Sequence, residues 1–213
     1  MLWQVMDKVP YKGKLYGVDA SQQMCDYVNI AIKRERKYTH NVLVVRSTIE
    51  DISKHIKEKS SFILSSFGFP SRISDASLCL KELKAVHDLL TDDGVFITIG
   101  WDEVFNDELS EMWFKYIPDD IRARSFEEWR QVRASKIPSP RGCSLSWFKK
   151  GVTVPLQFSS LKQLATVMGY LFGRDAAKYI IDNNLIEWEM SLGITKNTKN
   201  QIKEIINAYE KRD

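Results

Sequence analysis

The sequence predicts an α/β protein built on a doubly wound, mostly parallel sheet. Strand-like and helix-like segments alternate through about the first hundred residues, the pattern of a parallel sheet with helices on both faces. The clearest strand, Val42 to Val45, is a continuous apolar run with β-branched residues, as expected of a strand buried on both sides. The strand-like segments end in acidic or polar residues, the place where open α/β sheets bind ligands.

Leu2 to Val9 is apolar and polar by turns, stops at Pro10, and fits the tail of a helix. Gly13-Lys14-Leu15-Tyr16-Gly17-Val18-Asp19 reads as a short strand ending in an acid. Ser21 is placed to cap a helix whose inner face is Met24, Tyr27, Val28, Ala31 and Ile32. Val42 to Val45 is the second strand, Glu50 to Lys57 a short helix, and Phe62-Ile63-Leu64 the third strand. Ser74 then caps a longer helix with Leu80, Leu83, His87 and Leu90 at helical spacing. Asp92-Asp93-Gly94 makes a turn into a fourth strand, Val95 to Ile99.

After this the pattern changes. Leu109, Met112, Trp113 and Tyr116 form one helical face, and Ser125 with Glu128 has the spacing of a capping box opening a helix through Trp129. Ile137-Pro138-Ser139-Pro140-Arg141-Gly142 is a loop. Leu145 to Phe148, then Gly151, then Val152 to Phe158 suggest a hairpin. Helices follow at Leu161 to Phe172 and Asp175 to Ile181, then a last strand from Trp188 to Ile194. Ile202 to Tyr209 lies in a closing helix. The organisation expected is a core over 1–104, a helical cap over 105–150, and a segment over 151–213 whose hairpin, helices and final strand complete the sheet.

Composition excludes several classes. Of 213 residues, 44% are hydrophobic and 28% charged, an ordinary globular balance. No apolar run approaches the roughly 20 residues needed to span a bilayer. No basic-then-apolar leader is present, so the expectation is a cytoplasmic protein with no membrane role. Cys25, Cys79 and Cys143 match neither a zinc spacing nor a disulfide framework, so no metal site is expected. The net charge of +3 is small, but it is unevenly spread. From Lys115 to Lys150 nine basic and four acidic residues give a local +5, leaving −2 elsewhere. A net charge this small does not by itself argue for nucleic acid, which is expected to be an unlikely partner, and the basic stretch acts locally: it could hold a carboxylate or phosphate on a substrate, or touch a nucleic-acid backbone.

The residues that carry chemistry are at the strand tips. Asp19 ends a parallel strand, where an acid can accept hydrogen bonds from ribose hydroxyls. The second strand leads into Ser47-Thr48-Ile49-Glu50, where an adenine would meet backbone groups, an apolar side chain and a polar tip. The third leads into Ser65-Ser66-Phe67-Gly68, and the fourth into Gly100-Trp101-Asp102-Glu103. All four tips are expected on one edge.

Tyr16-Gly17-Val18-Asp19-Ala20-Ser21 resembles the second motif of the class I, Rossmann-like S-adenosylmethionine-dependent methyltransferases. Leu80-Lys81-Glu82-Leu83 through Leu89-Leu90-Thr91-Asp92-Asp93-Gly94-Val95-Phe96 resembles the helix, turn and strand that follow the methyl-transfer site. Ile49-Glu50-Asp51-Ile52 falls at the adenine position, so the motifs come in the family's order. The resemblance covers residues 1 to about 100 and extends to an antiparallel final strand. Within the class it is most similar to the small-molecule type, in which the segment after the fourth strand caps the substrate pocket. The resemblance implies S-adenosylmethionine as cofactor, held by Asp19, Ala20, Thr48, Ile49, Glu50, Ser65, Ser66 and Phe67. Trp101, Asp102, Glu103 and Arg141 are the expected substrate residues. The sequence departs from the family at its start. The family opens with a strand and a glycine-rich turn, whereas no glycine-rich loop precedes Gly13 here. The expectation is an N-terminally truncated version of the fold, lacking a central strand. A fragment, a strand supplied by another chain within an oligomer, and a binding protein that has lost catalysis are the three explanations.

Structural readings compete with the functional ones. Asp19 could be a helix-capping acid without a ligand. His87 sits on an apolar helix face and reads as a core histidine rather than a catalytic one. Arg122, Arg124, Arg130, Arg133 and Lys136, beside Glu127 and Glu128, read first as a solvated helix face; Arg141 stands apart because the Pro-Ser-Pro loop before it fixes its position. Methyl transfer needs alignment more than a base, so no catalytic residue is named. The two rival functions are a non-catalytic scaffold and a nucleic-acid methyltransferase. Phe67-Gly68-Phe69-Pro70 is no substitute for the Asn/Asp-Pro-Pro-aromatic run that marks base methylation.

Overall fold

A computed structural model describes residues 13–35, 42–66, 76–101 and 148–211. The chain divides into two compact units, Met1–Glu58 and Lys59–Asp213. Both are α/β, each with a parallel strand pair joined by a crossover helix, which is the class the sequence predicts.

The first unit holds β1 (Leu15–Asp19), α1 (Gln22–Glu35) and β2 (Val42–Arg46). The strands pair in parallel, from Leu15 opposite Val42 to Asp19 opposite Arg46. β2 forms where expected but is not buried on both faces: Val42 is covered, whereas Leu43 is exposed. Ser21 caps α1 as expected, its Oγ accepting the Met24 N–H at 3.3 Å. Three of the five residues expected on the inner face of α1 lie there, Ala31 and Ile32 buried and Val28 half-buried, whereas Met24 and Tyr27 are exposed and Cys25 is buried in their place. Cys25 sits one position on from Met24, and behaves as a small apolar residue. Beyond β2, only a 3-10 turn at Ile52–Lys54 forms where a short helix is expected. Ile52 and Ile56 are its buried anchors.

The second unit holds β3 (Ser60–Ser66), α2 (Ala76–Leu89), β4 (Leu90–Trp101), β5 (Phe148–Gln157), α3 (Leu161–Phe172), α4 (Arg174–Asp182), β6 (Glu187–Thr198) and α5 (Lys199–Glu210). Its sheet runs β3-β4-β6-β5. β3 and β4 are parallel, and β6 inserts antiparallel to both β4 and β5, so the last strand has the expected direction.

Two local expectations change. The predicted turn Asp92-Asp93-Gly94 lies inside β4, where the register against β3 jumps from Ser60↔Leu90 to Phe62↔Val95. The extra residues form a bulge, and Gly94 is required there: a Cβ would stand 2.9 Å from the Thr91 carbonyl oxygen. Lys199 holds this bulge, its Nζ donating to the Leu90 carbonyl at 3.0 Å and to Asp92 Oδ1 at 2.9 Å. The expected hairpin around Gly151 is instead one continuous strand, β5, paired with β6 along its length. Gly151 is aligned with Gly193, not placed at a turn. Val152, Val154 and Leu156 alternate with exposed Thr153, Pro155 and Gln157, the period of a strand with one covered face.

Helices cover both faces of this sheet. Phe96, Thr98, Thr195 and Asn197 share one face by strand alternation, and all four are buried. α5 packs on β4 and β6 and against α2, burying Ile202, Ile205 and Tyr209; Cys79 Sγ lies 3.6 Å from the Tyr209 hydroxyl. The α2 face is carried by Cys79, Leu83 and Val86, with Leu80 only half-buried. His87 is half-buried with Nδ1 3.3 Å from Asp88 Oδ1. On the opposite face Trp188 packs with Leu164, Ala165 and Met168 of α3 and Ala176 and Ile180 of α4. Ser160 caps α3 through the Gln163 N–H, and Thr198 with Gln201 makes a full capping box on α5.

Deleting a buried branched side chain removes its transfer energy and leaves a cavity. Leu164→Ala is expected to lower stability by about 2–5 kcal/mol in urea unfolding. Lys178→Ala, which breaks only the exposed Lys178–Asp182 pair, is expected to stay within about 0.5 kcal/mol. Equal effects from the two substitutions would show that the cluster around Trp188 is not a cooperative core.

Candidate functional site

Parallel pairing places the carboxyl ends of β1 and β2 side by side, with Asp19 and Arg46 as the last register partners. The connections that leave them carry five of the residues singled out in the sequence. Asp19, the last residue of β1, and Ala20 after it are exposed; Thr48 is exposed and Ile49 and Glu50 half-buried after β2. Four polar or small residues and one apolar side chain therefore meet at one strand edge.

The Asp19 turn is held by several hydrogen bonds. Its Oδ1 accepts the Ser21 N–H at 2.8 Å, and its carbonyl oxygen accepts the Ser47 N–H at 3.1 Å. Cys25 Sγ lies 3.5 Å from the same carbonyl oxygen. Burial and the nearby Asp19 and Asp26 carboxylates push the Cys25 thiol up, so it stays protonated and serves as a weak donor. Asp19 thus does take part in the start of α1, as its capping reading expects. Among the described residues, however, the Ser21 bond is the one hydrogen bond its side chain accepts, and the carboxylate stands in solvent. It is constrained without being saturated.

Arg46 was not anticipated in the sequence. Its Nε donates to the Ala20 carbonyl oxygen at 3.4 Å and its Nη1 to Gln22 Oε1 at 3.5 Å. The available signal was a cation closing an otherwise apolar strand of the same length as β1.

In the second unit Ser65 and Ser66 end β3 beside Thr98 and Ile99. Ser65 is buried and Ser66 half-buried. Thr98 and Thr195 hydroxyls share a 2.6 Å hydrogen bond across β4 and β6, so a polar row crosses three strands at this level. Gly100, Gly193 and Gly151 form the next row on that face. Trp101 closes β4 opposite Leu192. Phe67, Asp102, Glu103 and Arg141 lie outside the described residues, as do Ser74, Cys143 and the basic stretch from Lys115 to Lys136. Among the described residues no cluster of His, Cys, Asp and Glu is arranged to hold a metal ion, and no helix is long and apolar enough to cross a membrane.

A second charged group lies at the other end of β1. Glu58 accepts hydrogen bonds from Lys14 Nζ and, at 3.1 Å, from the Tyr16 hydroxyl. The Lys14 hydrogen bond, then the Tyr16 one, hold the Glu58 carboxyl below the usual carboxylate range, and Lys14 is raised in return, chiefly by its hydrogen bond to Glu58. A carboxyl depressed on folding stabilises the folded state above its unfolded pKa, and that contribution is lost as pH falls through the folded value. Wild type is therefore expected to be more stable than Glu58→Gln near neutral pH. The gap should close between about pH 5 and pH 3 in urea titrations. A gap independent of pH would contradict this assignment.

No protein-family model matches the sequence, and no curated protein matches it. The chain is similar in path to several solved structures. One is a precorrin 8w decarboxylase from Methanobacterium thermoautotrophicum, at 9% identity over 86% of this chain and 69% of that one, with a TM-score of 0.39. A second is an rRNA methylase from Streptococcus thermophilus, at 10% identity, 87% and 74% coverage and a TM-score of 0.37. A third is an O-methyltransferase from Bacillus cereus in complex with SAH, at 13% identity, 88% and 64% coverage and a TM-score of 0.39. The fold class itself rests on the strand pairings and helix positions described above.

Proposed function

We propose that this chain is a methyltransferase that transfers the methyl group of S-adenosylmethionine directly to a small molecule carrying an anionic group. The observation that supports the reading most is Asp19: a solvent-facing carboxylate at the carboxyl end of a parallel strand, held in place with capacity to accept further hydrogen bonds. The residues present fit the adenosyl end of the cofactor. Asp19 would accept from the ribose hydroxyls, with Ala20 beside it, and Thr48, Ile49 and Glu50 would meet the adenine. Ser65, Ser66 and Phe67 complete the proposed cofactor set. Trp101, Asp102, Glu103 and Arg141 are the proposed substrate residues, Arg141 pairing with the anionic group.

When bound, S-adenosylmethionine would supply an activated methyl carbon, which a lone pair of the acceptor would bond as the carbon–sulfur bond gives way and its electron pair stays on the thioether sulfur. The protein's part is to hold donor and acceptor in line. Alignment of this kind is worth several kcal/mol of barrier without any proton transfer by the protein. The acceptor atom releases its own proton, to water where it is acidic enough.

Calorimetric titration with S-adenosylhomocysteine tests the reading. Hydrogen bonds to a charged acceptor contribute about 1.5–3 kcal/mol, so Asp19→Asn is expected to weaken binding by about ten- to a hundredfold. Absence of heat with the wild-type chain at millimolar ligand would reject the methyltransferase reading and favour a non-catalytic scaffold.

A further inference from the structure

We infer that Arg46 is a positioning residue for Asp19, setting the direction of its carboxylate through the turn between β1 and α1. The inference rests on the proposed adenosyl site. Asp19 and Arg46 are opposite each other on the last rung of the parallel pair, the arrangement in which an ion pair is expected. Yet among the described residues they form none. The guanidinium donates instead to the Ala20 carbonyl oxygen and to Gln22 Oε1.

Gln22 is itself oriented, because its Nε2 donates to Asp26 Oδ1 at 2.8 Å and so leaves Oε1 for Arg46. A chain of hydrogen bonds thus runs Asp26–Gln22–Arg46–Ala20 and closes around the residue that follows Asp19. Ser47, the next residue on from Arg46, pins the Asp19 carbonyl oxygen from the same strand end. The tip of β2 therefore holds two successive carbonyl oxygens, those of Asp19 and Ala20. The Asp19 side chain adds one local bond, to the Ser21 N–H, and keeps its remaining acceptor capacity. A guanidinium is suited to this work because its donors are fixed in one plane. An arginine parked on neutral acceptors also leaves the carboxylate available, whereas a direct pair would have to be broken by each incoming ligand.

The test is a double-mutant cycle read by S-adenosylhomocysteine titration, using Arg46→Ala, Asp19→Asn and the double variant, each checked for native circular dichroism. Arg46→Ala is expected to weaken binding about tenfold in the wild-type background and less than about twofold in the Asp19→Asn background. A residue that only supported the fold would weaken both backgrounds alike, and that result overturns the inference, as does no loss in either. Gln22→Ala, which removes one arm of the clamp and leaves the cation, is expected to lose about threefold, again only where Asp19 is present. Should Arg46→Ala fail to fold, that variant decides the matter, and unchanged affinity overturns it. Failure of the wild type to bind would reject the methyltransferase reading itself, and it is read separately, before any variant is made.

Discussion

Two strands that pair in parallel must run the same way and therefore finish at the same edge, and their connection must cross back over the sheet. Everything distinctive about the first unit follows. β1 and β2 end together, so an acid and a base that are 27 positions apart in sequence become neighbours on the final rung. The crossover helix α1 starts at the same edge, which is why Ser21, Gln22 and Cys25 contribute donors and acceptors to the Asp19 turn. Each residue there does local structural work first. The proposed ligand chemistry would use what that work leaves unfilled.

The second unit resolves the same constraint differently. Only β3 and β4 are parallel; β6 enters between β4 and β5 and reverses the direction. Antiparallel strands need no crossover, so α3 and α4 are free to form a helical pair packed on Trp188, while α2 and α5 close the other face over Phe96. Burial on both faces favours pairing between polar residues of the middle strands. The Thr98–Thr195 hydrogen bond is such a case, with both side chains almost fully buried. The bulge before it is fastened from outside the sheet by Lys199, whose hydrogen bond and charge hold the Asp92 carboxyl below its ordinary range.

Much of this was legible in the sequence because it is local. Apolar runs such as Val42 to Val45 have few alternatives to a strand, and Ser21, with an oxygen at the right spacing, caps α1 as its chemistry suggests. What was not legible depends on register and on what covers each face. Nothing local distinguishes Gly151 as a turn from Gly151 as a strand residue facing Gly193; the partner strand decides. Asp92-Asp93-Gly94 has the composition of a turn and does bend the chain, but neighbouring β3 pairs on either side of it and makes it a bulge. Met24 and Tyr27 satisfy helical spacing as well as Cys25 does, and the strands they would cover settle which face turns inward. Arg46 escaped notice for the same reason. Its meaning lies in standing opposite Asp19, and pairing partners are not written in either strand.

A carboxylate that is to grip a sugar faces two opposed demands. It must be held, since a freely rotating side chain loses entropy on binding. It must also remain unsatisfied, since an acceptor already filled has nothing to offer. The Asp19 turn meets both by dividing the work: the Ser47 N–H and the Arg46 guanidinium bind the carbonyl oxygens of Asp19 and Ala20, while the carboxylate itself accepts one local N–H. Exposure keeps the desolvation penalty small, so no compensating cation is needed on the carboxylate. A buried version would need a partner to stay charged, and that partner would compete with the ligand. The position of the acid at an open strand end is thus part of how it would bind, because solvent holds the vacant acceptor sites until hydroxyls replace it.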